Sequence, residues 1–265
     1  MDADPEPSDA TPQPGNSFLV ALTLLTVIPI HLSALPDDRT VARARLWFPA
    51  VGLLLGLLLG GLTFAAGFVP ALIGAFVILI AWVGLTGALH IDGCCDLADG
   101  LFGGRTPEDR LRIMKDPHVG SFGLVAGVLL LLGKFVGLAA LLTCERRDLA
   151  PWLIGLAVLT GRCLVLTVAA AARYPRPGGA GKLVVEATCV PEAALFALLA
   201  LAAVLPLAFI VTPWLVAAAL VPYLAVLALR RLCQTRLTGV TGDCLGAAVE
   251  LTELLFLLTA GVILG

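Results

Sequence analysis

HIDGCCDLADGLFGGRTPEDRLRIMKD, His90 to Asp116, sets three aspartates, one histidine and two glycines within its first eleven residues. Four cations and three further acids follow before the next apolar run. The chain on both sides is overwhelmingly hydrophobic. A polar segment held between apolar helices reads as a chemical site at the surface of a bilayer.

Composition supports that class. The chain is 59% hydrophobic and only 14% charged, with a mean hydropathy of +1.00, whereas about a quarter of the residues of soluble domains are charged. The expected fold is all-α: a polytopic integral membrane helical bundle. The net charge of −2 averages over signs that are segregated along the chain, and no nucleic-acid partner is implied. The seven cysteines form no CxxC pair and no zinc-like spacing, so they read as small apolar packers.

Residues 1–16, acidic and Pro-rich, predict a disordered tail; the acidic start is unlike the basic region of a signal peptide. Residues 17–265 read as a single transmembrane catalytic domain. The first apolar run, Ser17 to Ile30, is short for a span of about 20 residues and is left as crossing, interfacial or re-entrant. Further spans are expected at 48–69, 71–89, 119–142, 152–172, 193–211, 214–229 and 244–264, seven helices in all, or eight if the first run crosses. The third of these runs, counting the first, leads directly into His90. Gly52, Gly56 and Gly60 recur every four residues, as do the pairs Gly123/Gly127 and Gly133/Gly137, the small-residue stripe that lets helix backbones approach.

Thirteen of the seventeen Lys and Arg residues fall in the links after the first, third, fifth and seventh runs. The positive-inside rule therefore puts these four links, and the active-site loop among them, in the cytoplasm. Trp47, Trp152 and Trp214 fall at predicted boundaries, as interfacial anchors do.

Asp92, Asp96 and Asp99 are spaced i, i+4, i+7, one stripe of a helix. Like charges so placed repel unless a cation lies among them. Oxygen-only ligands suit Mg²⁺, or Mn²⁺, and Mg²⁺ commonly combines a few carboxylates with substrate phosphates. A metal-assisted phosphoryl or pyrophosphate site follows, with solvated loop acids as the bland alternative. Gly93 and Gly100 would let a ligand near the backbone. His90, on another face, reads either as a general base for a hydroxyl or as an interface marker. Arg105, Arg110, Arg112 and Lys115 offer anion-binding capacity. Lys115 and Asp116 stand out because they are expected to press against the next helix. Within the spans, Arg162 faces Glu250 and Glu253 as a salt bridge or a substrate contact. Lys134 has no evident partner, and Asp243 is positioned to join the site.

Together these residues resemble the cobalamin synthase family, the adenosylcobinamide-GDP ribazoletransferases. That family's HxDGxxDxxDG is present as His90, Asp92, Gly93, Asp96, Asp99 and Gly100, followed by IMKD at Ile113 to Asp116 with Gly120 and Gly123 beyond. RLWFPAVGLLLG from Arg45 resembles its second helix, and TGDCLGAAVELTE from Thr241 to Glu253 its last. Val27 stands where the family often has Arg, and Pro117-His118 where it often has Ser-Arg.

The resemblance implies transfer of cobinamide phosphate from adenosylcobinamide-GDP to a ribose hydroxyl of α-ribazole, or of its 5′-phosphate, with release of GMP. It implies Asp92, Asp96 and Asp99 as holders of Mg²⁺, and His90, Lys115 and Asp116 as catalytic groups. Gly93, Gly100, Arg45, Arg105, Arg162, Asp243 and Glu250 are the expected substrate contacts. A homo-oligomer is left open. Two alternatives remain: a CDP-alcohol phosphotransferase-like enzyme, for which only Asp96, Asp99 and Gly100 match, and a transporter using Arg162, Glu250 and Lys134.

Overall fold

A computed structural model describes residues 16–32 and 35–265; the tail expected to be disordered lies, but for Asn16, outside the described residues. The described chain is helical: α1 (Ser17–Leu25), α2 (Asp38–Ala44), α3 (Phe48–Ala66), α4 (Ala71–Thr86), α5 (Leu89–Gly103), α6 (Pro107–Ile113), α7 (Ser121–Thr143), α8 (Ala150–Ala169), α9 (Ala180–Ala187), α10 (Val190–Ile210), α11 (Ala217–Arg236) and α12 (Gly242–Leu264). Among the described residues six segments are long and apolar enough to cross a membrane, and a seventh arises if the bent pair α4 and α5 counts as one span. The first apolar run is not among these candidates. α1 has nine residues, about 14 Å of helix, and cannot cross a hydrocarbon layer of about 30 Å.

Large apolar side chains such as Leu57, Phe64, Phe209 and Val262 point outward, the inverse of a soluble protein and the surface that lipid requires. α8 is the most enclosed span, with 78% of its apolar window buried against 28% for α10 and α11. The glycine stripe explains part of this enclosure. A Cβ at Gly56 would lie 2.6 Å from the Gly155 carbonyl oxygen and one at Gly60 2.7 Å from that of Pro151, both on α8. Only hydrogen at these positions permits the α3–α8 approach. Gly127 likewise receives the Cys95 sulfur of α5, and Gly137 receives Leu257 of α12.

The straight passage from the 71–89 run into His90 does not occur. Gly87 and Ala88 both take positive φ, 62° and 57°, and turn the chain by 86° between α4 and α5. Gly87 accepts that conformation freely; at Ala88 it costs about 1–2 kcal/mol, stored beside the site. The segment after α1 braces the bend, since the Val27 amide donates to the Leu85 carbonyl at 3.0 Å. α5 thereby leaves the direction of the spans and lies against α12.

Chain ends from four basic links meet at one end of the bundle. Arg45 pairs with Glu192 at 2.9 Å, Arg110 donates to the Arg236 carbonyl at 3.1 Å, Arg230 to the Ala170 carbonyl at 2.6 Å, and the Val240 amide to the Arg173 carbonyl at 2.8 Å. The common side expected for these links is therefore borne out. Trp152 and Trp214 are exposed at the other end and Trp47 at this one.

Candidate active site

α5 and α12 cross at two glycines. A Cβ on Gly93 would sit 3.0 Å from the Asp243 Cα, and one on Gly246 3.1 Å from the His90 carbonyl oxygen. Gly93 both admits α12 on its Cβ side and lines the cavity beside the crossing, whereas the space beside Gly100 is filled by Met114 and the Arg110 carbonyl. This close crossing sets Asp243, at the first turn of α12, beside Asp92 and Asp96 of α5. Asp96 lies within the electrostatic reach of Asp92, Asp243, Asp99 and Arg176.

Arg176 is the cation of this group. It was not singled out from the sequence, where it sits in a Pro- and Gly-rich link; its bracketing by Pro175 and Pro177 is the one signal that it is held rather than loose. Its guanidinium donates to the Asp243 carboxylate at 2.8 Å, while Nε is buried without a partner among the described residues. Asp243 thus binds the guanidinium directly, Asp96 lies within its electrostatic reach, and Asp92 adjoins both acids.

Beside them opens a cavity of about 310 Å³, in the range of small-molecule sites. Its polar side is formed by His90, Asp92, Tyr174, Arg176 and Asp243, and its apolar side by Leu24 and Leu25 of α1, Phe48 of α3, Leu89 of α5 and Val165 of α8. His90 is buried, and its Nδ1 has no hydrogen-bond partner among the described residues, which is unusual for a buried polar atom. Burial pushes the Tyr174 hydroxyl above its ordinary pKa, although Arg176 beside it acts in the other direction.

The structure divides the aspartate triplet. Asp99 turns to α7, where its two oxygens accept the Gly120 amide at 2.7 Å and the Gly123 amide at 2.8 Å. Gly120 is the N-cap of α7 and has no side chain to cap with; Asp99 supplies the missing carboxylate from another helix, where it also meets the positive end of the helix dipole. Among the described residues no three His, Cys, Asp or Glu side chains form a group able to hold a metal alone.

Other expected residues lie apart from the cavity. Lys115 and Asp116 are exposed in the turn after α6 and do not press on the next helix. The amide and ring of His118 donate to or pair with the Asp116 carboxylate at 3.0 and 2.8 Å and hold it below the usual carboxylate range. Arg105 is exposed, and Arg45 is engaged with Glu192.

Arg162 and Glu250 belong to a buried ion cluster one layer deeper. Lys134 donates to Glu250 at 2.6 Å and to Glu253 at 2.5 Å, Arg162 pairs with Glu253, and all four are almost wholly enclosed. The Lys134 ammonium also lies 4.5 Å from the ring centroid of Trp82, a cation–π contact. The partner of Lys134 that sequence left open is thus a pair of acids on α12, and the salt-bridge reading of Arg162 is the one the geometry follows.

No solved structure matches this chain. Two relatives named "Adenosylcobinamide-GDP ribazoletransferase" are similar to it: one from Pseudomonas paraeruginosa, 43% identical over 89% of this chain and 94% of its own length, and one from Ectopseudomonas mendocina, 41% identical over 88% and 93%. A third with the same name, from Pseudomonas aeruginosa, is 42% identical over 89% and 94%. The family model described as cobalamin-5-phosphate synthase matches residues 17–261, nearly the whole described chain including α5, the Arg176 link and α12, and on that match this multi-pass helical membrane protein belongs to the cobalamin-5-phosphate synthase family.

Proposed function

We propose that the chain joins adenosylcobinamide-GDP to α-ribazole, or to α-ribazole 5′-phosphate, with release of GMP, in late cobalamin biosynthesis. The observation that carries this reading is the cluster of Asp92, Asp96 and Asp243, with Arg176 bound to Asp243, beside a largely apolar cavity that also contains His90. Carboxylates outnumber the cation there, and they fall short of a complete protein cage. That donor set fits Mg²⁺, or Mn²⁺, which completes its shell with substrate phosphate and water. Asp92 and Asp96 would hold it, with Asp243 adjacent. Asp99, whose two oxygens already accept backbone amides, has less capacity left.

When bound, Mg²⁺ supplies charge neutralisation and polarisation of the diphosphate. Arg176 grips a phosphate oxygen through its free Nε–H. The attacking ribose hydroxyl lies beside His90, whose Nδ1 takes up the proton as the new P–O bond forms. Leu24, Leu25, Phe48 and Leu89 enclose the aromatic base of the acceptor and exclude water, which would otherwise compete as nucleophile. The four basic links at the site end argue for the cytoplasmic face of a prokaryotic inner membrane.

The test is GMP release by the purified protein in nanodiscs supplied with adenosylcobinamide-GDP and either acceptor. Release that needs acceptor and Mg²⁺, and that Asp92→Asn and Asp96→Asn each reduce by about a hundredfold or more, supports the reading. Acceptor-independent release, or full turnover in both variants, sinks it.

A further inference from the structure

Arg176 has a second side. A groove of about 300 Å³ lies between α6 and the link before α9, and Arg176 lines both it and the cavity described above. One guanidinium nitrogen, Nη2, makes both contacts that hold it in this wall, to the Asp243 carboxylate at 2.8 Å and to the Met114 carbonyl, where α6 ends, at 3.5 Å. The two compartments differ in charge. Asp92 and Asp243 make the inner one acidic, whereas the outer one carries Arg112 and Lys115 against a single lining acid, Glu108. Among the described residues Arg112 is held by Asp109, at 3.1 Å in an exposed pair, an interaction worth little and easily traded for a phosphate.

We propose that this outer groove receives the leaving nucleotide, guanosine 5′-monophosphate. The inference rests on the transferase reading and assigns it a second subsite. A diphosphate laid across Arg176 puts the phosphorus under attack on the carboxylate side and the departing phosphate on the Arg112 and Lys115 side. The hydroxyl oxygen forms a bond to the cobinamide-side phosphorus, and its proton goes to the base. The bond from that phosphorus to the bridging oxygen breaks, both electrons staying on the oxygen that leaves with GMP. Negative charge develops there, next to the guanidinium shared by both compartments.

The remaining lining suits a purine of one kind. Pro175 and Pro177, with Leu111 opposite, offer flat apolar surfaces to a base. A carboxylate such as that of Glu108 can accept from two adjacent donors; guanine presents N1–H and its 2-amino group in that pattern, and adenine does not.

Calorimetric titration of the full-length protein in nanodiscs with GMP and with AMP tests this without turnover. GMP is expected to bind about tenfold more tightly than AMP. Lys115→Ala and Arg112→Ala are each expected to weaken GMP about three- to fivefold, and Glu108→Gln to bring the two nucleotides within about twofold of each other. All three positions are exposed, so unchanged unfolding temperatures are expected. Unchanged GMP affinity in all three variants, alongside wild-type turnover, overturns the groove and leaves the transferase reading intact. A GMP preference that depends on Glu108, in a protein that releases no GMP from adenosylcobinamide-GDP, supports the groove and removes the transferase reading.

Discussion

Asp99→Asn separates capping from metal binding. In the wild type each Asp99 oxygen accepts one amide at the start of α7, at 2.7 and 2.8 Å, and the N-cap residue, Gly120, makes no side-chain cap of its own. The asparagine amide keeps one oxygen acceptor and turns an NH₂ toward the other backbone N–H. One charge-assisted hydrogen bond is lost, about 1.5–3 kcal/mol, together with the interaction of a carboxylate with the helix terminus, up to about 2 kcal/mol when partly buried. The combined loss is about 2–4 kcal/mol, which for a chain of this size lowers the midpoint of thermal unfolding by roughly 5–15 °C. The assay is unfolding in nanodiscs, followed below the transition by a Mg²⁺ titration of GMP release. Asp99→Asn is expected to lower the midpoint while leaving the half-saturating Mg²⁺ concentration within about threefold, whereas Asp96→Asn raises that concentration by about tenfold or more at a nearly unchanged midpoint. An Asp99→Asn protein as stable as wild type, with a Mg²⁺ requirement raised as far as that of Asp96→Asn, would refute the division of the three aspartates.

Lys134→Met leaves Glu250 and Glu253 with only Arg162 to balance them in a fully enclosed layer, and breaking such a pair costs about 3–5 kcal/mol; the double variant Lys134→Met/Glu250→Gln is expected to recover a large part of that loss in the same unfolding assay. Gly56→Val forces α3 from α8 at a contact where even a Cβ would lie 2.6 Å from a carbonyl oxygen, and a loss of at least about 1–3 kcal/mol, read as a lower unfolding midpoint or failed insertion, is expected. Cys94→Ala, at a half-buried position outside the cavity lining, is expected to keep turnover within about twofold.

Much of this organisation is legible in the chain because membranes impose simple rules. Hydropathy finds the spans, since lipid tolerates only self-satisfied backbone; the glycine period finds the α3–α8 seam; the distribution of Lys and Arg groups the links that meet around the site. Helical spacing also puts the aspartates on one helix. What remains hidden depends on partners far away in sequence. Asp99 and Asp96 are chemically the same until Gly120 and Gly123, more than twenty residues on, claim one of them. Lys134 finds its acids over a hundred residues downstream. The turn at Gly87 and Ala88 is invisible to hydropathy, because a positive φ leaves no mark in an apolar run. Arg176 looked like one more cation of a basic link until the fold set it between Asp243 and Met114.

The most direct test is a structure of the protein in nanodiscs with Mg²⁺ and a methylene-bridged, uncleavable analogue of adenosylcobinamide-GDP. The account predicts the diphosphate across Arg176, its cobinamide-side phosphorus facing Asp92, Asp96 and Asp243, with His90 lining the space left for the acceptor. A diphosphate bound away from Arg176, or a metal held without either Asp92 or Asp96, would contradict it.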